Sequence, residues 1–245
     1  MRYLILSDLH ANLHALDAVL ADAKTLGYDA TLVLGDLVGY GADPSAVIAR
    51  TLALEPVALV RGNHDKVAAG LEPPELFNDI ARRSIEWTAE QLSAAELAVL
   101  AELPKGPYQL TSTFELCHGS PFDEDYYIFD ADDASRAIAA ATSRICFFGH
   151  THLPALFATG DDPVRASDDG ADDELALPAS GPALINVGSV GQPRDGDPRA
   201  AYGLLDVTRH TLRLRRVAYD IAGAQARIIS ARLPEWLAIR LERGQ

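Results

Sequence analysis

Short apolar runs that stop at Asp, Asn or His alternate along this chain with stretches of helical spacing, an order that predicts a layered α/β protein. Arg2 to Ser7 reads as a first strand. Leu13, Leu16, Val19 and Leu20 then recur on one face, predicting a helix over Leu13 to Leu26. Thr31 to Leu34 reads as a second strand. Asp43 before Pro44 is an N-cap with proline at the first helical position, opening a helix to about Leu54. Pro56 ends it, and Val57 to Val60 forms a third strand.

Pro74 to Leu103 carries helical spacing, with Ser93 and Glu96 as a capping box that starts a second helix inside it. Tyr108 to Cys117 alternates like a β-hairpin, Asp132 to Ala140 is helical, and Ile145 to Phe148 is a strand. Beyond it the chain turns largely β, over Ala155 to Ala158, Ala183 to Val187, Ala201 to Val207 and Thr211 to Tyr219. Asp220 caps a terminal helix. The order predicts a single domain over residues 1–245, with two packed sheets and helices outside. Thr159 to Pro182, which holds seven acidic residues against Arg165 alone, reads as a solvated hairpin-like extension rather than a cation site.

With 245 residues, 48% of them hydrophobic, the chain can build a core and shows no composition of disorder. The run after Met1 reaches Asp8 too soon for a signal peptide, and no stretch approaches the roughly 20 apolar residues of a membrane span. A soluble cytoplasmic protein without a membrane partner is expected. Cys117 and Cys146 lie in apolar runs and read as reduced core thiols. A net charge of −14 excludes a surface that tracks extended nucleic acid, while small anions remain accessible to locally placed arginines.

The polar residues that end the apolar runs supply the candidate chemistry. Five of the seven histidines sit in SDLH (Asp8, His10), GNHD (Asn63, His64, Asp65), CHG (His118) and GHTH (His150, His152), and GD adds Asp36. In extended backbone, positions i and i+2 share a side, so Asp8 with His10 and His150 with His152 could each clamp cations from one strand end. Asn63 and His64 are adjacent and would turn apart. If Asn63 ligates through its amide oxygen, His64 is aimed over a substrate, with Asp65 holding the imidazole. Asp36 is the natural bridge between two ions. Carboxylates, an amide oxygen and imidazoles without thiolate suit two divalent transition-metal ions, Mn, Fe or Zn, with Mn favoured in vitro. Two such ions about 4 Å apart generate hydroxide and stabilise an in-line displacement, which is phosphoester chemistry.

D-x-H, GD, GNHD, a lone His before Gly, and GHTH, in this order, resemble the calcineurin-like metallophosphoesterase superfamily, in its small bacterial phosphodiesterase or phosphatase type. INVGSVGQPRDGDPRAAY resembles the stretch that closes such members, with Val187 where many have proline. The resemblance implies a four-layer α/β/β/α sandwich of two mixed β-sheets flanked by helices. It implies Asp8, His10, Asp36 and His152 on one ion and Asp36, Asn63, His118 and His150 on the other. It also makes His64 the group that protonates or stabilises the leaving alkoxide, after attack by a metal-bridging hydroxide. A small phosphoester, diester or monoester, including nucleotides, is the expected substrate. The alternatives are a phosphoprotein phosphatase and a non-catalytic interaction protein on the same fold.

Other residues keep two readings. Arg194 is the best phosphate clamp among Arg61, Arg194 and Arg199, or else an ion-pair partner of Asp195 or Asp197. Asn12 contacts substrate or caps the helix after it. Tyr126, Tyr127 and Phe129 stack on a nucleobase at the rim or, the favoured reading, pack an irregular loop. Tyr40, flanked by glycines beside Asp36, belongs at the site mouth. His14 and His210 read as surface histidines.

Overall fold

Alternation along the first strand sets the architecture. In β1 (Arg2–Leu6), Tyr3 and Ile5 face one side and Leu4 and Leu6 the other, and all four are buried. Its sheet must therefore be covered on both faces. The computed structural model describes residues 1–158, 164–165 and 173–245. After β1 come α1 (Leu13–Leu26), β2 (Ala30–Val33), α2 (Pro44–Leu52), β3 (Ala58–Leu59) and α3 (Asn63–Ala68). A 3-10 turn at Pro74–Leu76 leads to α4 (Asp79–Gln91), α5 (Ala94–Glu102), β4 (Tyr108–Gln109), β5 (Phe114–Leu116), α6 (Ala131–Ala140) and β6 (Ile145–Phe148). Then follow β7 (Ala155–Ala158), β8 (Val164–Arg165), β9 (Asp173–Ala176) and β10 (Ala183–Asn186). The chain finishes with β11 (Ala200–Asp206), β12 (Thr211–Val217), α7 (Ile221–Ser230) and α8 (Glu235–Arg243).

Among the described residues the strands form two mixed sheets of six, ordered β3-β2-β1-β11-β12-β9 and β4-β5-β6-β10-β7-β8. Ile5, Leu32, Leu34 and Val60 of the first meet Phe114, Phe147 and Ile185 of the second in an inter-sheet core. On the outer face of the first sheet, Leu4, Leu6 and Val33 pack on Leu16 and Val19 of α1 and Val47 of α2. On that of the second, Cys146, Phe148 and Leu184 pack on Ala134 and Ala137 of α6. This is the expected α/β/β/α sandwich. Parallel pairing joins β1, β2 and β3 in one sheet and β5, β6 and β10 in the other. Asp8, Asp36, Asn63, His118 and His150 all lie just past the carboxyl ends of these strands, where an open α/β sheet binds its ligands.

Several local expectations are corrected. GNHD is not extended: Asn63 opens α3, which no periodicity announced because six residues hold less than two turns. Asp43 makes no side-chain cap and instead receives Arg227, with Nε at 2.8 Å. The terminal helix is followed by a second, α8, whose Leu237 and Leu241 pack on Ala224 and Ile228 of α7. The acidic stretch near 159–182 lies partly outside the described residues. Where described, β8 pairs with β7 in one sheet and β9 with β12 in the other, so the stretch contributes edge strands to both. Cys117 and Cys146 are free thiols, buried as expected. His14 is part-exposed beside Asp220 and His210 is exposed in a turn. Among the described residues no helix is long and apolar enough to cross a membrane.

Candidate metal centre

Backbone conformation marks the site before any side chain is considered. Asp8, His10, Asp36, His150 and His152 all have positive φ, between 46° and 66°. Non-glycine residues rarely adopt that region, and five of them cost on the order of 5 kcal/mol together. The i, i+2 argument from extended strands therefore does not hold: these residues leave their strands on left-handed turns. Main-chain bonds between loops hold these turns, with Asp8 N–H donating to Gly35 O at 3.1 Å and His10 N–H to Asp36 O at 2.9 Å.

Left-handed geometry sends the two histidines of GHTH to different places. Ligand atoms of Asp8, His10, Asp36 and His152 converge within 4.8 Å, and those of Asp36, His118 and His150 form a second group that shares Asp36. Asn63 faces the second group, its Oδ1 lying 3.2 Å from His118 Nε2. Each imidazole is anchored by its other nitrogen on a carbonyl. Nδ1 of His10, His118 and His152 donates to Val38 O, Leu34 O and Gln192 O, and Nε2 of His150 to Asp125 O. A carbonyl accepts only from N–H, so each tautomer is set and the opposite nitrogen is turned inward.

Asp36 is divided between two tasks. Its Oδ1 accepts the His64 N–H at 2.9 Å, while Oδ2 lies 3.5 Å from His10 Nε2 and 3.4 Å from His118 Nε2. One oxygen thus faces both groups. Gly62 permits this approach, since a Cβ there would lie 2.0 Å from Asp36 Oδ1.

The charge distribution fits cations. Burial holds the His10 and His152 imidazoles neutral, well below their ordinary pKa, yet their Nε2 atoms face each other at 3.1 Å. Two opposed lone pairs repel, and a cation between them relieves the repulsion. In the second group burial disfavours charge on His118, but the Asp36 carboxylate outweighs it and pushes the imidazole up to about 10. A proton there stands where a divalent ion would replace it. Asp8 is raised by burial, and its Oδ1 accepts the His150 N–H. The donor set of imidazole, carboxylate and amide oxygen fits two divalent transition ions.

His64 is the clustered histidine outside both groups. Its ring lies 4.9 Å from that of His10, 4.4 Å from Tyr40 and 4.6 Å from Phe77, on which it stacks. Burial pushes its imidazolium down to about 4, with Asp36 opposing. Asp65 does not hold this ring. Its carboxylate accepts from Leu37 and Val38 N–H through Oδ1 and from Gly62 N–H through Oδ2, tying the Asp36 loop to α3. His64 Nδ1 is buried without a partner among the described residues, against Gly39, whose φ is 85° and where a Cβ would lie 2.3 Å from that nitrogen. Gly39→Ala is expected to displace His64 and lower turnover of an aryl phosphoester about tenfold or more, with metal content unchanged by elemental analysis.

The sequence candidates for substrate contact separate. Asn12 is structural: Oδ1 caps α1 by accepting from Ala15 N–H, and Nδ2 donates to Gly191 O and to the Tyr219 hydroxyl. Asn12→Ala is expected to cost about 0.5–2 kcal/mol in denaturant unfolding while leaving KM unchanged. Arg194 pairs with neither Asp195 nor Asp197, which take Arg216 and Arg199. It donates to Gln192 Oε1 at 3.0 Å and stands 5.7 Å from the Tyr40 ring centroid, and its Nε has no partner among the described residues. The guanidinium lies beside the phenols of Tyr40 and Tyr127, opposing the rise that burial causes in both. Arg61 is spent on Glu124 in a two-point pair at 3.0 Å.

Tyr126 packs in its loop, its hydroxyl donating to Asp133 and its ring under Arg136. Tyr127, by contrast, stacks on His150 at 3.8 Å. The sequence reading passed over it in favour of packing. Phe77 was missed altogether: helical spacing was read across it, whereas the structure leaves it between the 3-10 turn and α4.

Residues 1–210 match the family model described as the calcineurin-like phosphoesterase superfamily domain. A metallophosphoesterase of Sphaerobacter thermophilus is similar in structure, with 39% identity, a TM-score of 0.89 and full coverage of both chains. A hypothetical protein of Pyrococcus horikoshii shares the fold at 21% identity and a TM-score of 0.79, over 100% of this chain and 98% of that one. An uncharacterized protein of Methanocaldococcus jannaschii is 34% identical, over 98% of this chain and 97% of its own length.

Proposed function

Because the chain belongs to the calcineurin-like phosphoesterase superfamily, we propose that its paired donor groups hold two divalent ions and that it hydrolyses a small phosphoester. The observation that carries this reading is the division of Asp36, whose Oδ1 is fixed by the His64 N–H while Oδ2 serves both groups. Bound there, the ions supply an activated water as nucleophile and neutralise charge on the phosphoryl oxygens. The protein's own residues do the rest. Arg194, beside the Tyr40 ring, and the Tyr40 hydroxyl hold the phosphoryl group. His64, which belongs to neither donor group, presents its ring N–H to protonate or stabilise the leaving oxygen. Asp65 sets the spacing between the Asp36 loop and α3, and so positions His64 through the main chain.

Aryl phosphodiester, aryl phosphomonoester and a phosphopeptide, assayed side by side with Mn, test the reading. Hydrolysis of the small esters is expected. Turnover of the phosphopeptide alone would instead make the chain a phosphoprotein phosphatase.

A further inference from the structure

Beside His64 and His150 opens a cavity of about 350 Å³, whose walls differ sharply in chemistry. One wall is ring and aliphatic surface. Phe77 stacks on His64 and Tyr127 on His150, so each aromatic ring is backed by a histidine of the centre. Leu76 extends that surface and is 72% exposed, and Phe129, stacked on Tyr127, is 51% exposed. Apolar groups this open at the mouth of a site mark a ligand contact rather than a core.

The other wall carries charge that is already spent. Lys66 is the cation that lines the cavity; its Nζ lies 2.9 Å from Glu72 and 2.5 Å from Asp125, with Glu124 at 3.4 Å. Among the described residues no unpaired cation lines the cavity, and Glu72 and Asp125 outnumber Lys66 on this wall. An anionic group would be repelled there. The cavity therefore has ring surface for a flat apolar partner and, apart from Arg194 beside Tyr40 and Tyr127, which the reacting phosphoryl group takes, no free cation among the described residues to hold a second phosphate or a carboxylate.

Resting on the phosphoesterase reading above, we propose that this cavity receives the leaving alcohol of the substrate, and that this alcohol is a planar, uncharged aromatic group, aryl or nucleoside. His64 at its inner end meets the ester oxygen, and Phe77 and Tyr127 take the ring. Substrates whose leaving portion carries further phosphates are disfavoured.

Binding of non-hydrolysable phosphonates to the Mn-loaded protein, followed by calorimetry with inorganic phosphate as the common anchor, tests this apart from turnover. Phenylphosphonate is expected to bind roughly tenfold tighter than methylphosphonate, with butylphosphonate between them and phosphonoacetate no tighter than methylphosphonate. Phe77→Leu, which keeps apolar bulk but removes the ring, should erase the phenyl advantage over butyl and leave phosphate affinity unchanged. If phosphate binds but phenylphosphonate gains nothing over methylphosphonate, or phosphonoacetate binds tightest, the aromatic assignment is wrong. Absence of phosphate binding would instead remove the phosphoesterase reading and this one with it.

Discussion

Asp36→Ala should lose both ions and essentially all turnover in one step. The same carboxylate oxygen lies within 3.5 Å of ligand nitrogens from both donor groups, so no single-ion form survives its removal. Two ions bound there would supply several kcal/mol of transition-state stabilisation, which sets the expected loss at roughly a thousandfold or more. Because Asp36 is 1% exposed and accepts the His64 N–H, truncation also leaves a buried donor unpaired. Asp36→Asn is the fairer comparison. It keeps the shape and an acceptor for His64, and is expected to fold by circular dichroism while its metal content falls below one ion per chain. A variant that keeps two ions would show that Asp36 is not the bridge.

His64→Ala should do the opposite. Turnover is expected to fall by about 10²- to 10⁴-fold, the range of general acid catalysis, with metal content unchanged. The ring touches Tyr40, Phe77 and His10 without anchoring a ligand, so its loss opens space beside the centre and not within it. The size of the loss should depend on the leaving group. An alcohol of ordinary pKa needs the proton, whereas a nitrophenolate leaves nearly unaided, so the deficit should shrink toward unity as leaving-group pKa falls. A deficit that is equal across such a series would assign His64 a role in binding rather than proton transfer.

The fold was legible where period and punctuation agreed. The boundaries of α1 and β6 and the capping box of Ser93 and Glu96 coincide with those read from the chain, because alternation, spacing and caps there all specify one structure. The donor cluster was legible for another reason: Asp, Asn and His after apolar runs have little reason to gather except chemistry. What remained hidden was conformation that tertiary contacts impose. Left-handed turns at Asp8, His10 and His150 violate local preference and persist because neighbouring loops hold them, so the extended-strand argument placed His150 and His152 together where the structure parts them. Asp65 has one carboxylate and several main-chain donors within reach, and sequence cannot say that Leu37, Val38 and Gly62 win over His64. Tyr127 and Phe77 reach the centre from loops distant in sequence, and only the packed structure shows which aromatic of a cluster turns inward.

Hydrolysis is expected to require two ions held around Asp36, a dependence checked by titrating Mn into metal-free protein and measuring bound ion per chain and hydrolysis of an aryl phosphodiester in the same samples. Binding should end at two ions per chain, with activity appearing mainly as the second ion binds. Saturation at one ion with full activity, or fewer than one ion bound and no gain in hydrolysis as Mn is added, would contradict it.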